Sequence, residues 1–275
     1  MTPVRLRGEG VAKRFGRVTA LRGIDFEIEP GEAVAILGAN GAGKSTLLRI
    51  FAGLSRPSEG RFEAIREVGL AEREGGANGS ADLARPDLRG AVGYVGHATL
   101  LYGELTAREN LAFAARLQGA DASPARLDGL LAELGLQDFS SRRTGTFSRG
   151  MAQRLAIARA IVHEPSVLLL DEPFTGLDAG SAERLSSQLS GLRARGRTLI
   201  VVTHDPQRGV ELADRALVLD RGLLVAHVAR QARPGAEDVP FAAEALQALL
   251  ARFAQSVGST GSVGVDSADA GGSGA

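Results

Sequence analysis

The densest chemical signal in this chain is one glycine-rich segment, Gly38-Ala39-Asn40-Gly41-Ala42-Gly43-Lys44-Ser45-Thr46. Its spacing is G-x-x-x-x-G-K-[ST], and it stands between an apolar run, Ala33–Leu37, and a helix-like pattern over Ser45–Ala52. That context turns the pattern into a phosphate cradle. Gly38, Gly41 and Gly43 let the backbone curl so that the N–H groups of Asn40, Ala42 and their neighbours point inward. The N-terminus of the following helix adds its positive dipole end. The Lys44 ammonium is compact enough to reach between β- and γ-phosphates, where a planar guanidinium fits badly. The hydroxyls of Ser45 and Thr46 face the same ligand, and Ser45 suits a Mg2+ ion. Of 32 basic residues only two are lysine, Lys13 and Lys44. A lysine in so arginine-rich a chain raises the question of what arginine could not do there. The plainer alternative is a glycine turn that only caps a helix.

A second signal lies downstream. Val167-Leu168-Leu169-Leu170-Asp171-Glu172 is an apolar strand ending in two acids. Carboxylates at the C-terminal edge of a parallel sheet face the crevice where such sheets bind ligands. Beside a phosphate cradle, Asp171 is expected to hold Mg2+ through water and Glu172 to polarise the attacking water. Alone, the pair would also suit a strand end capped by solvated acids.

The elements that must position these groups are readable in outline. Residues 3–28 alternate like short strands, and Glu29-Pro30-Gly31-Glu32 is a turn. Gly60–Ile65 and Ala91–Val95 are further strand candidates. Arg66–Gly90, polar and glycine-rich, reads as a solvated loop insertion. Residues 98–163 are mostly helical in pattern, with capping-box spacing at Thr106-Ala107-Arg108-Glu109. Strands at Val167–Leu170, Thr198–Val202 and Ala216–Leu219 then alternate with helices near 180–194 and 206–213, which predicts an α/β fold with parallel strands covered by helices. A short amphipathic helix is expected over 240–253, with Phe241, Ala245, Leu249 and Phe253 at i+4 steps and Leu246 and Leu250 beside them. The Gly/Ser-rich tail, 257–275, is expected to be disordered.

Formal charge is zero, 32 basic against 32 acidic residues, which argues against a chain built to neutralise nucleic acid. Cysteine is absent, so disulfides, thiolate metal sites and cysteine nucleophiles are excluded. No apolar run approaches the roughly 18–20 residues that span a bilayer. The N-terminus lacks the basic-then-apolar pattern of a secretory signal. The expectation is a cytoplasmic chain whose membrane role comes through a partner.

The remaining motifs narrow the class. Thr146-Phe147-Ser148-Arg149-Gly150-Met151-Ala152-Gln153-Arg154-Leu155 resembles the signature of ABC ATPases, usually L-S-G-G-Q. Ser148 and Gly150 match; Phe147, Arg149 and Met151 depart. Gly176-Leu177-Asp178 looks like the family's D-loop. His204, in Val202-Thr203-His204-Asp205, looks like its switch histidine, although a strand-end histidine is more often a structural hydrogen-bonder. Phe15 sits where the family stacks an aromatic on adenine; an ordinary core Phe is the alternative. The resemblance covers about residues 3–230. It implies a P-loop NTPase of the ABC ATPase fold: a RecA-like core, an antiparallel β subdomain and a helical subdomain in an ATPase domain over 1–230, followed by a helical extension over 231–256. It further implies ATP and Mg2+ as ligands, Ser148 and Gly150 closing over the nucleotide of a second copy, a homodimer, and a separate membrane permease at the cytoplasmic face of the membrane.

One departure points to a subfamily. His97, in Gly96-His97-Ala98-Thr99, stands where most members carry glutamine. With Phe147-Ser148-Arg149-Gly150-Met151 it looks like the ATP-binding subunit of the cytochrome c maturation heme exporter. By that resemblance His97 senses Mg2+, water and the neighbouring membrane subunit. The alternatives are a drug, lipid or polysaccharide exporter, or a soluble ABC ATPase.

Overall fold

The computed structural model describes residues 2–66, 80–81, 90–230 and 242–255. Two sheets organise them. The first is antiparallel, in the order β2-β1-β4-β5, from β1 (Val4–Phe15), β2 (Val18–Ile28), β4 (Glu59–Arg66) and β5 (Ser80–Ala81). The second has the order β10-β9-β3-β8-β7-β6, from β3 (Ala33–Gly38), β6 (Val92–Val95), β7 (Val167–Asp171), β8 (Thr198–Val202), β9 (Arg215–Asp220) and β10 (Leu223–Ala229). All its neighbours are parallel except β10 on β9. Strands β3, β7 and β8 are buried at every position. That is why their sequences are near-continuous Val, Leu, Ile and Ala rather than alternating.

Seven α-helices complete the described residues: α1 (Lys44–Phe51), α2 (Ala107–Leu117), α3 (Pro124–Glu133), α4 (Arg149–Ile161), α5 (Ala179–Ala194), α6 (Pro206–Leu212) and α7 (Ala243–Gln255). The Thr106–Glu109 capping box forms as its spacing predicts. None of these helices is long and apolar enough to cross a membrane.

The large sheet divides the core by side-chain parity. Val34, Ile36, Leu169, Ile200 and Val202 face α1 and the antiparallel sheet, where Phe26, Phe51 and Phe62 pack with ring centroids 4.9–6.0 Å apart. Leu168, Leu170, Leu199 and Val201 face α2–α5. Ala35, Leu37, Ala216 and Val218 meet α7 through Leu246 and Leu249.

Several expectations change. The N-terminal strands are long, 12 and 11 residues, and take up their twist through register shifts near Gly8, Val11 and Lys13. The segment read as a loop insertion is not all loop. Arg66 ends β4 opposite Val4, and Ser80–Ala81 pairs with Ile65 and Ala64 as a short edge strand. Residues 67–79 and 82–89 of that insertion, Phe241 and the 257–275 tail lie outside the described residues. Strand β10 was not anticipated. A two-residue turn, Arg221-Gly222, with φ of 46° and 81°, folds it back on β9.

Candidate functional site

The C-terminal ends of neighbouring strands β3, β8, β7 and β6 deliver, in that order, the glycine loop, His204, the acids and His97. They open on a cleft of about 480 Å3 lined by Asn40–Thr46, His97, Asp171, Glu172, Thr175 and His204. Residues predicted from segments more than a hundred positions apart therefore share one cavity.

The loop can only be built from glycine at its pinch points. A Cβ on Gly43, where φ is 105°, would stand 2.6 Å from the Ala20 carbonyl oxygen. One on Gly38 would stand 2.3 Å from that of Leu219. The Gly222 N–H donates to the Ala42 carbonyl and ties the loop to the β9–β10 turn. Gly41, with φ of 80° and nothing within 4 Å, faces the open cleft.

Lys44 is buried and its Nζ donates to the carbonyls of Gly38 and Ala39 at 2.8 and 3.1 Å. Burial pulls its pKa below the ordinary lysine value, while the carboxylates of Glu172 and Asp171 oppose that shift. Neutral carbonyls are weak partners for a buried ammonium, so the site favours an arriving anion.

The Ser45 Oγ donates to Asp171 Oδ1 at 3.2 Å. A hydroxyl and a carboxylate oxygen held this close suit a hard cation that also takes phosphate and water oxygens. The residues present therefore fit Mg2+ beside a polyphosphate.

Glu172 follows Asp171 with φ of 52°, a left-handed backbone that costs a non-glycine residue about 1–2 kcal/mol. The Glu172 N–H donates to the Val202 carbonyl at 2.9 Å, and the reversal turns its side chain into the cleft. Its Oε2 lies 2.9 Å from His204 Nδ1, and the Thr175 hydroxyl donates to the same oxygen at 3.4 Å. With Glu172 as a carboxylate, which only accepts, the contact is a hydrogen bond in the tautomer that carries its proton on Nδ1. Thr175 was missed by sequence reading, as were Val18, Thr19 and Ala20, which the antiparallel sheet brings to the cleft rim.

Four predicted residues stand apart from the cleft lining, Gly38 at the end of β3 being the first of them. Phe15 is half exposed at the end of β1, directly across the hairpin from Val18, with the Lys13 ammonium 5.1 Å from its ring. That exposure excludes a core role. Ser148 caps α4, accepting from the Met151 N–H at 3.3 Å. Gly150 packs against α5, where a Cβ would stand 2.9 Å from the Ser181 hydroxyl. The Asp178 carboxylate caps α5 through the Ser181 N–H at 2.8 Å.

A second concavity of about 470 Å3 lies on the far side of β6. It is largely apolar, edged by the exposed Leu54, Leu100, Tyr102, Phe113 and Leu117. Arg159 donates to the carbonyls of Thr99 and Leu100 and so fixes the segment that leaves His97. Tyr94 and His163 form part of the wall.

The family model described as ABC transporter matches residues 21–175. The chain is 40% identical over 228 residues to the macrolide export ATP-binding/permease protein MacB of Paracoccus denitrificans, covering 79% of this chain and 33% of that protein. It is 38% identical over 221 residues to the Fe(3+) ions import ATP-binding protein FbpC 2 of Rhodococcus jostii, covering 80% and 60% respectively. The chain thus spans a third of the one relative and three fifths of the other. Among solved structures, a dimeric ATP-binding cassette in a post-hydrolysis state, bound to ADP and Pi, superposes with a TM-score of 0.70 at 28% identity, covering 83% of this chain and all of that one.

Proposed function

The chain belongs to the ABC transporter family, and from that premise we propose that it is the ATP-hydrolysing subunit of a membrane transporter, working as a pair of copies on a separate permease. The observation that supports this best is the convergence of Lys44, Ser45, Asp171, Glu172 and His204 on one cleft.

In this reading the loop N–H groups and Lys44 cradle the β- and γ-phosphates of ATP. Phe15, exposed beside the cleft rim, offers a face for the adenine. Ser45 and Asp171 hold Mg2+, which neutralises charge on the phosphates. Glu172, held by His204 and Thr175, orients a water and takes its proton as the water oxygen attacks the γ-phosphorus. The bond to the β-phosphate oxygen breaks, and ADP leaves with the bonding pair. Lys44 and His204 stabilise the charge spread over the transferring group. His97, on the cleft wall, reports phosphate occupancy to the segment that Arg159 holds. That segment edges the apolar groove, which takes a helix of the permease. Ser148 and Gly150 serve the nucleotide of the second copy.

The finer reading is heme export for cytochrome c maturation. It is supported by His97 and the Phe147–Met151 departures, and it rests on resemblance. One of the relatives above is named for export and the other for import, so direction of transport and cargo need their own test: copurification of the chain with its permease and identification of that permease by mass spectrometry.

The core reading is tested with purified chain. ATP·Mg2+ should bind and release phosphate, and Lys44→Ala should abolish binding without unfolding the protein. A chain with no affinity for ATP·Mg2+, alone or with its permease, would end this reading.

A further inference from the structure

The C-terminal helix α7 touches none of the groups assigned above, yet it is built into the scaffold behind one of them. We infer that α7 is a positioning element for His204, acting through α6. The inference rests on the role proposed above for that histidine.

Helix α6 has seven residues, too few to hold itself in water. It begins one residue after His204, at the cap Asp205, whose carboxylate accepts from the N–H groups of Gln207 and Arg208 at 2.9 and 3.4 Å. The His204 side chain is 62% exposed. Beyond its contact with Glu172, the imidazole takes its position from the backbone that joins the end of β8, where the Thr203 N–H donates to the Ile36 carbonyl at 3.2 Å, to α6.

The position of α6 is in turn fixed from behind. On one side Gly209 seats against Ala35 and Leu37 of β3, where a Cβ would be in close contact with them at 3.4 and 3.3 Å. At its C-terminal end the Arg230 guanidinium donates to the Val210 carbonyl at 2.7 Å. A second side meets α5 and the loop before it, with the Arg208 guanidinium 5.8 Å from the Phe174 ring centroid and 3.9 Å from Glu183, and a third is covered by α7. Leu246 is fully buried and Leu249 is 7% exposed, both in the cluster that holds Leu37 and Ala213, with Val210 and Leu250 packed at its edge. Helix α7 thus presses on α6 and on the strand that runs into the phosphate loop, but only α6 begins beside an exposed side chain of the proposed site, His204. Loosening α7 should displace His204 more than Lys44, whose loop is held by the pinched Gly38 and Gly43.

The test uses the full chain. Leu246→Ala, made alone and together with His204→Ala, is assayed for kcat and for KM of ATP·Mg2+, with single-turnover phosphate release where rates are low. Hydrogen exchange is followed in 204–213 and in 44–51. Leu246→Ala should lower kcat about tenfold, since a 1 Å misplacement can cost about a hundredfold and the expected shift here is smaller, with KM little changed. The loss should nearly vanish when His204 is already alanine. Exchange should quicken in 204–213 and stay unchanged in 44–51. Equal losses in both backgrounds, or faster exchange with an unchanged kcat, would overturn the inference while leaving the catalytic reading intact. A His204→Ala protein with full activity would overturn both. If Leu246→Ala does not fold, Leu250→Ala at the cluster edge must give the same pattern, weaker.

Discussion

Replacing Glu172 by glutamine isolates the chemical step. Glutamine is nearly isosteric, and its amide oxygen can still accept from His204 Nδ1, now 2.9 Å from Oε2. The left-handed backbone at this position and its N–H bond to Val202 do not depend on the side chain. What disappears is a group able to take a proton from water. A positioned general base contributes about 10²–10⁴-fold, or roughly 2.7–5.4 kcal/mol of barrier at about 1.36 kcal/mol per decade. Nucleotide affinity moves the other way. Glu172 and Asp171 both face the phosphate cleft, and removing one negative charge lessens repulsion of the triphosphate. Lys44, whose pKa burial lowers, keeps Asp171 as its remaining anionic neighbour. The expected protein therefore binds ATP·Mg2+ as tightly as the parent or more so, and releases phosphate at least about a hundredfold more slowly. Calorimetric titration gives the first quantity and phosphate release at saturating ATP·Mg2+ the second. A rate within about threefold of the parent, or a fall matched by an equal loss of affinity, refutes the assignment.

Glu172→Gly should abolish turnover and yet stabilise the fold by about 1 kcal/mol, because φ of 52° carries a steric cost only for residues with a Cβ; a lower melting temperature would contradict this. Gly43→Ala should weaken both the fold and ATP binding, since its Cβ would stand 2.6 Å from the Ala20 carbonyl oxygen; unchanged calorimetric affinity would show that the loop can give way. His163 tests the pH dependence. Its Nδ1 is buried without a partner and its Nε2 lies 3.3 Å from the Val92 carbonyl, and burial holds its pKa below 6.5. The unfolded chain therefore takes up this proton first. Stability falls as pH drops through 6.5 toward the lowered value and is flat above it. His163→Phe should remove that part of the acid-side slope in melting temperature, and an unchanged slope would place the titration elsewhere.

The legible parts of the molecule were those in which one short segment carries both its conformation and its chemistry. The run Ala33–Leu37, three glycines and Lys44 announce strand, turn and helix together, and the structure follows that order. Asp171 and Glu172 were readable for the same reason. Glu172's left-handed backbone was not, because nothing in Asp171-Glu172-Pro173 marks it. Strand β10 was hidden by arginine at the first turn position, where Asn or Asp would have signalled a hairpin. Val18, Thr19 and Ala20 reach the cleft rim only through the packing of one sheet on another, so no local pattern could place them. For α7, periodicity announced an apolar face but not what covers it; Leu246 and Leu249 find α6 and β3 through tertiary contact alone.

The separation of Ser148 and Gly150 from the cleft follows from the same geometry. Two helix N-termini bear on the proposal: that of α1, inside the cleft behind Lys44, and that of α4, capped by the exposed Ser148 and absent from the cleft lining. Gly150 is buried against Ser181 and Ser148 is tied to Met151, so the α4 end is a fixed feature of its own subdomain. A single nucleotide in one chain satisfies only the first of these ends. In the proposed pair of copies, two chains facing one another would satisfy both, each α4 end meeting the phosphates held by the other chain's α1. In the proposed transporter this makes the γ-phosphate part of the interface. A ligand shifts an equilibrium only by its differential affinity for the two states, and a phosphate that contacts both copies when closed, and one when open, has that difference built in. Hydrolysis by Glu172 then removes the contact that favours closure, which is what a motor driven by ATP requires.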